Sequence, residues 1–301
     1  MYVLTLVASA LTPGHVAAAR GALQGAGAPR WLAQGRACDV PFGAPQPLDA
    51  EAAVREALAG APVDLLAQPA AGRRKRLLVA DMDSTIITVE CIDEMADMLG
   101  LKPQIAAITE AAMRGELDFP SALRRRVGLL RGLEVAALER VCAERVRLMP
   151  GAAALVRTMA ANGAYAALVS GGFRFFTGRV RQAAGFHADR ANELAVADGR
   201  LTGEVVEPIL GSDAKLATLA ELTAARGLQP SQTLALGDGA NDLQMIRQAG
   251  LGVAYHAKPV VAAAARARVD HNDLTAVLYF QGYSAGEFIA APARSPDGAS
   301  A

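Results

Sequence analysis

The chain has 301 residues, 30 basic against 30 acidic side chains, three cysteines and few aromatic residues. The balanced charge excludes a basic nucleic-acid footprint, and no apolar run is long enough for a membrane span. Cys38, Cys91 and Cys142 are odd in number and show no CxxC spacing, which excludes a disulfide framework or zinc knuckle and points to reduced thiols in a cytoplasmic protein.

Residues 1–10 are apolar but lack the basic start of a signal peptide, and Thr12-Pro13-Gly14 follows as a turn, so 2–9 is expected to be a strand. A helix over 13–25, an extended segment over 31–40, a helix over 51–58 and a strand over 63–67 complete a β-α-β-α-β alternation. That pattern indicates a small α+β domain over residues 1–70. It holds no cluster of acids, histidines or cysteines, so a packing or regulatory module is expected. Residues 68–76, with Pro69, Gly72 and the run Arg73-Arg74-Lys75-Arg76, read as a solvated linker, 71–76 at its narrowest.

Leu77-Leu78-Val79-Ala80 is a fully apolar run, as in a buried parallel strand, and it leads straight into Asp81-Met82-Asp83-Ser84-Thr85. Residues i and i+2 of an extended segment share a side, so Asp81 and Asp83 can face one crevice at the strand's carboxyl end. Read alone, the stretch also fits an Asp/Ser turn that caps a helix. Four helical patterns follow, over 90–99, 103–115, 119–131 and 134–147, broken at Gly100, Pro103, Gly115, Pro120 and Gly132. A bundle inserted there would form a cap over the site, about 90–148, that excludes water. The α/β pattern resumes with helix 151–161, strand 165–169 ending at Ser170-Gly171-Gly172, helix 173–184, a hairpin over 193–206 turning at Asp198-Gly199, and helix 213–226 capped by Ser212. Strand 233–236 ends at Gly237-Asp238-Gly239-Ala240-Asn241-Asp242. Residues 282–301 read as a flexible tail.

Three strand ends thus carry reactive groups, and a parallel sheet gathers such ends along one edge. Carboxylates without histidine or cysteine favour a hard cation such as Mg²⁺. Ser170 with the amides of Gly171 and Gly172 forms an anion seat, and Lys215 near a helix start adds positive charge. Together these groups are the parts of a phosphoryl-transfer site.

DMDST, SGG, Lys215 and GDGAND, in this order, resemble the four motifs of the haloacid dehalogenase superfamily of phosphatases over residues 76–280. Their spacing and the cap are similar to the phosphoserine phosphatases within it. The resemblance implies that Asp81 attacks phosphorus and that Asp83 serves as acid and then base. It implies that Asp81, Asp238 and the Asp83 carbonyl hold Mg²⁺, and that Ser170, Gly171 and Lys215 bind the phosphoryl oxygens. Asn241, Asp242 and Gly172 would support substrate and metal. In the cap, Glu90 would take a substrate ammonium and Arg126 its carboxylate, with Met113 and Phe119 lining the pocket. Glu90 and Arg126 read without the family are a helix start and one of three adjacent arginines on a solvated face.

The implied fold is α/β: a Rossmann-like, mostly parallel sheet core at 77–281 with an inserted helical-bundle cap, preceded by a small α+β domain. By position and β/α pattern that domain resembles the degenerate ACT-type module found before some bacterial phosphatases of this family. The implied activity is Mg²⁺-dependent hydrolysis of O-phospho-serine, the last step of serine biosynthesis. A related phosphatase for another small phosphomonoester, or an amino-acid-binding regulator with a vestigial site, are the alternatives. A small-molecule substrate is the expected partner, without nucleic acid or membrane, and a homodimer is compatible with the sequence.

Overall fold

The computed structural model describes residues 1–44, 46–114 and 116–290. Residues 2–69 run β1 (Tyr2–Val7), α1 (Pro13–Gly21), β2 (Arg30–Ala33), β3 (Ala37–Phe42), α2 (Pro47–Ala57) and β4 (Asp64–Pro69). The strands form an antiparallel sheet in the order β2-β3-β1-β4. The extended segment expected over 31–40 is therefore two strands. Gly35, at φ +69°, takes the left-handed conformation that turns the chain between them.

The second sheet begins at β5 (Leu77–Ala80). There follow α3 (Cys91–Asp97), α4 (Lys102–Met113), α5 (Phe119–Leu129) and α6 (Val135–Glu144), then α7 (Ala152–Ala161), β6 (Tyr165–Phe173) and α8 (Arg174–Ala184). The hairpin β7 (Ala188–Ala197) and β8 (Arg200–Val206) leads to α9 (Ser212–Ala225) and β9 (Thr233–Gly237). The remainder is α10 (Leu243–Gln248), β10 (Leu251–Tyr255), α11 (Pro259–Ala264), β11 (Ala267–Val269) and α12 (Thr275–Phe280). The seven strands lie in the order β11-β10-β9-β5-β6-β7-β8, parallel except for β7 with β8. Every residue of β5 is buried, as the apolar run requires. The chain leaves β5 for β6 on one side and returns to β9 on the other, so the switch point of the topology lies at the end of β5. Among the described residues no helix is long and apolar enough to cross a membrane.

Helices α3–α6 form the inserted bundle. The two segments that join it to the core pair with each other: Ile87 bridges Leu148, and Met149 donates its N–H to the Ile86 carbonyl at 2.8 Å. The β7–β8 hairpin is bound to the same bundle. Leu201 and Leu133, and Gly132 and Leu201, are joined by 2.8 Å backbone hydrogen bonds, and Arg200 pairs with Glu134 at 2.6 Å.

Several local expectations are corrected. β6 runs on through Ser170-Gly171-Gly172 to Phe173. Gly211, not Ser212, precedes the first turn of α9, and no side chain caps it. The basic run is not a solvated linker. Arg73 grips the buried Asp39 with both terminal nitrogens at 3.2 and 2.8 Å, Arg74 pairs with Glu287 at 2.6 Å, and the buried Lys75 ammonium donates to the Ser231 carbonyl at 2.8 Å. Within the expected tail, Tyr283 is buried and the Phe288 ring packs on Tyr279, while 291–301 lies outside the described residues.

The two sheets are locked together by polar groups as well as by packing. Val7, Leu32, Ala37 and Leu66 of the first share one apolar cluster with Tyr279 and Phe280 of the second. Asp64, buried on β4, accepts the backbone N–H groups of Asp270, His271 and Asn272 and the Asn272 side-chain amide at 2.8 Å. Replacing Asp64 by Ala strands those donors. An unsatisfied buried donor costs roughly 1–3 kcal/mol, so Asp64→Ala is expected to lose about 3 kcal/mol or more of unfolding free energy in a urea titration. An unchanged midpoint would remove this latch from the account.

Candidate active site

Three strand ends meet where β5 stops. Ala80 is in register with Leu168 of β6 and Leu236 of β9, so Asp81 emerges beside the ends of both neighbours. Its backbone N–H is held by the Leu236 carbonyl at 2.9 Å. Its side chain is buried. One oxygen, Oδ1, accepts the Met82 N–H at 2.8 Å and the Lys215 ammonium at 2.7 Å. The other, Oδ2, accepts no hydrogen bond among the described residues.

Lys215 reaches this point from the first turn of α9 and is 2 % exposed. Its ammonium also bonds Asp242 Oδ1 at 2.7 Å. Burial alone would depress this lysine, but the Asp81 and Asp242 charges outweigh it and hold the ammonium well above its ordinary pKa. Asp242 Oδ2 accepts the Gly239 N–H at 3.1 Å. Gly237 is required by this packing, because a Cβ there would overlap the Asp242 side chain. Asp238 sits between, with Oδ1 accepting the Thr85 hydroxyl at 2.9 Å.

Asp83 faces the other flank. Its Oδ1 accepts the Cys91 N–H at 3.0 Å and its Oδ2 the Ser170 hydroxyl at 3.2 Å. Ser170 Oγ in turn accepts the Gly172 N–H at 2.8 Å. Burial, then the charges of Glu90 and Asp81, pushes the Asp83 carboxyl up to about 7. Burial and the Asp81 charge push Asp242 up to about 7 as well, and Asp238 is raised for the same two reasons.

The donor set fits a hard divalent cation. Asp81, Asp238 and Asp242 each place a carboxylate oxygen within 4.8 Å of the others. Asp242 is committed to Lys215 and Gly239, which leaves Asp81 and Asp238 as the available anionic oxygens. All the ligands are oxygen, with no histidine or cysteine, and the raised pKa values of Asp238 and Asp242, set by burial and by the Asp81 charge, mark negative charge still in need of neutralisation.

The cap closes over this centre. Phe119, the first residue of α5, lays its ring against Gly171, where a Cβ would come within 3.1 Å of it, and beside Gly211. Of the three adjacent arginines, Arg124 and Arg125 are exposed, whereas Arg126 turns inward. Arg126 has no ion pair among the described residues, and its one hydrogen bond runs back to the Ala122 carbonyl at 3.4 Å. Burial lowers its pKa, and the Asp93 and Glu90 carboxylates act against that. Glu90 opens to solvent and accepts the Ser84 hydroxyl at 2.6 Å. Ser84 holds φ +55°, a left-handed conformation uncommon for serine. Asn241 lies in the acidic loop with its side-chain oxygen against Gly239. The Met113 side chain lies outside the described residues.

Two groups here escaped the sequence reading. Thr85 orients Asp238. Asn192, on β7 and 2 % exposed, donates to the Gly171 and Leu210 carbonyls at 2.9 and 3.2 Å and accepts the Leu210 N–H at 2.7 Å. It ties the anion seat to the loop that feeds α9 and Lys215. Nothing in the local sequence marks it, because its partners are about twenty residues away on either side.

Fold and centre together are those of a hydrolase with a carboxylate cluster at the end of a central parallel strand. The chain belongs to the haloacid dehalogenase-like hydrolase family, whose sequence profile matches residues 78–247. A phosphoserine phosphatase of a Polaromonas species is 47% identical over 208 residues, covering 67% of this chain and 88% of that protein. Among solved structures, a HAD family hydrolase from Salmonella enterica serovar Typhi superposes with a TM-score of 0.82 at 29% identity, over 93% of this chain and 98% of the other. A probable phosphoserine phosphatase from Vibrio cholerae, in unliganded form, superposes with a TM-score of 0.76 at 30% identity, over 95% and 88%.

Two outcomes test the centre. Lys215→Ala leaves two buried carboxylates unpaired, so cation-free protein is expected to lose about 3–5 kcal/mol in chemical unfolding. A loss near zero would mean the pairs are not formed in solution. Protons and a cation compete for the carboxylates of the centre, of which Asp238 and Asp242 are raised above the ordinary range. The rise in Tm on adding a divalent cation should therefore be larger at pH 7.5 than at pH 5.5; an equal rise at both would contradict a shared carboxylate site.

Proposed function

We propose that this protein is a phosphoserine phosphatase that hydrolyses O-phospho-serine to serine and phosphate through an aspartyl-phosphate on Asp81. One observation carries the reading. Among the described residues, an inward-turned Arg126 without an ion pair and the Glu90 carboxylate lie on the cap side of the Asp81 carboxylate, one oxygen of which accepts no hydrogen bond. A zwitterionic amino-acid head needs one cation and one anion, and Arg binds carboxylate through two parallel hydrogen bonds. A sugar phosphate needs neither.

In this reading Asp81 Oδ2 attacks phosphorus, while the Oδ1 contacts to Lys215 and Met82 fix the angle of the carboxylate. The bond from phosphorus to the serine oxygen breaks, and the Asp83 carboxyl gives its proton to that oxygen. Its raised pKa keeps the proton available near neutrality. The Asp83 carboxylate then takes a proton from water as the water attacks the phosphoryl group, and Asp81 is released. Ser170, the Gly171 and Gly172 amides and Lys215 bind phosphoryl oxygens, and Phe119 covers the seat against solvent. Asp81, Asp238 and the Asp83 carbonyl would hold Mg²⁺, which when bound supplies charge that lets an anionic nucleophile approach an anionic phosphate. Residues 77–281 form the phosphatase domain, and 1–70 a module of ACT type, supported by its βαββαβ order.

Steady-state kinetics with L-phosphoserine and Mg²⁺ test this directly. Asp81→Asn is expected to lower kcat by on the order of 10⁴ or more, as removal of a nucleophile does. Arg126→Ala should raise KM by the equivalent of roughly 1.5–3 kcal/mol while leaving turnover of an aryl phosphate unchanged. Wild-type turnover that ignores chelation of Mg²⁺, or a KM for phosphoserine untouched by Arg126→Ala, would overturn the assignment.

A further inference from the structure

A cavity of about 490 Å³ lies away from the acidic centre, where α2 and β4 face α10, α11 and β11. It is in the size range of sites for small organic molecules. None of the residues assigned above to catalysis or substrate lines it.

Its charged wall residues are four arginines and one glutamate. From α2 come Leu48, Glu51 and Arg55, spaced i, i+3 and i+7 on one helix face. From the opposite side come Arg247 on α10, Arg266 and Arg268. Glu51 is already engaged, accepting Arg266 Nη1 and the Ala67 N–H, both at 2.8 Å. Arg268 is engaged by Asp270 at 2.7 Å. Arg55 and Arg247 are different. Both are exposed, and neither makes an ion pair or a side-chain hydrogen bond among the described residues. Both line the cleft, one from each sheet unit, and the exposed apolar Leu48 lines it with them. Like charges that share a cleft repel, and guanidinium groups are suited to planar acidic groups.

We propose that this cleft binds a small organic dianion that spans the two units, one acidic group on Arg55 and one on Arg247, with its apolar middle beside Leu48. The occupant would touch α10, which begins immediately after Asp242, so the site adjoins the catalytic loop without belonging to it.

Isothermal titration of the full-length chain with glutarate tests this, with butyrate as a one-charge control at equal ionic strength. Saturable binding of glutarate is expected at millimolar concentrations, with butyrate weaker by roughly tenfold. Arg55→Gln and Arg247→Gln should each weaken glutarate by at least roughly tenfold and, as exposed substitutions, leave Tm unchanged. Asp81→Asn should bind glutarate as the wild type does. Absence of saturable binding, equal binding of butyrate, binding that survives both arginine substitutions, or binding lost in Asp81→Asn would each overturn the proposal.

Discussion

Asp81, Asp238 and Asp242 bring carboxylate oxygens within 4.8 Å of one another, Asp83 flanks them, and Lys215 is a buried cation among them. That imbalance governs the catalytic half of the molecule. The lysine bonds Asp81 and Asp242 at the same distance and so fixes the carboxylate from β5 against the loop that follows β9. Burial and the charge that remains raise the Asp83, Asp238 and Asp242 carboxyls, and that charge is why a divalent cation fits. It also explains the backbone: Gly237 and Gly172 let side chains approach to distances a Cβ would forbid. The sheet provides the rigidity. Adjacent parallel strands in fixed register hold the strand ends within reach of one another, and no flexible segment has to be ordered for the groups to meet.

The first sheet unit is built into the second rather than tethered to it. Asp64 is a carboxylate from one unit that serves as a cap for three backbone donors of the other. Gln68 donates to the Phe280 carbonyl at 2.6 Å, and the residues of the basic run spread their contacts across both units. Residues 1–70 contribute no candidate catalytic group, yet they cover apolar surface around α12 that would otherwise face water. Their role in the fold is therefore thermodynamic whatever else they bind.

Much of this was legible in the residues. A strand buried on both faces must be apolar throughout, so 77–80 and 233–236 declared themselves, and the acids that ended them were conspicuous for that reason. The cap helices were legible from their periodicity and from the Gly and Pro breaks. The Asp198-Gly199 turn was legible because two residues with positive φ in succession require that chemistry. What escaped was long-range pairing. Arg73 and Asp39 are 34 positions apart, and Asp64 and Asn272 are 208 apart, so a local window sees only a charged loop and a charged strand end. Arg126 shows the intermediate case. Its sequence neighbours are also arginines, and only the family resemblance singled out the one that the helix turns inward.

The lid and the floor of this cleft have a strand in common. β7 and β8 are bonded to the cap through Leu201, Leu133, Arg200 and Glu134, and β7 carries Asn192, which clasps the Gly171 carbonyl at the end of β6. The paired segments at 86–88 and 147–149 give the cap its other attachment. A cover fixed at both ends is not free to move by itself: any displacement of it loads the hairpin, and through Asn192 the Gly171 carbonyl. Cap and strand end thereby behave as one mechanical unit.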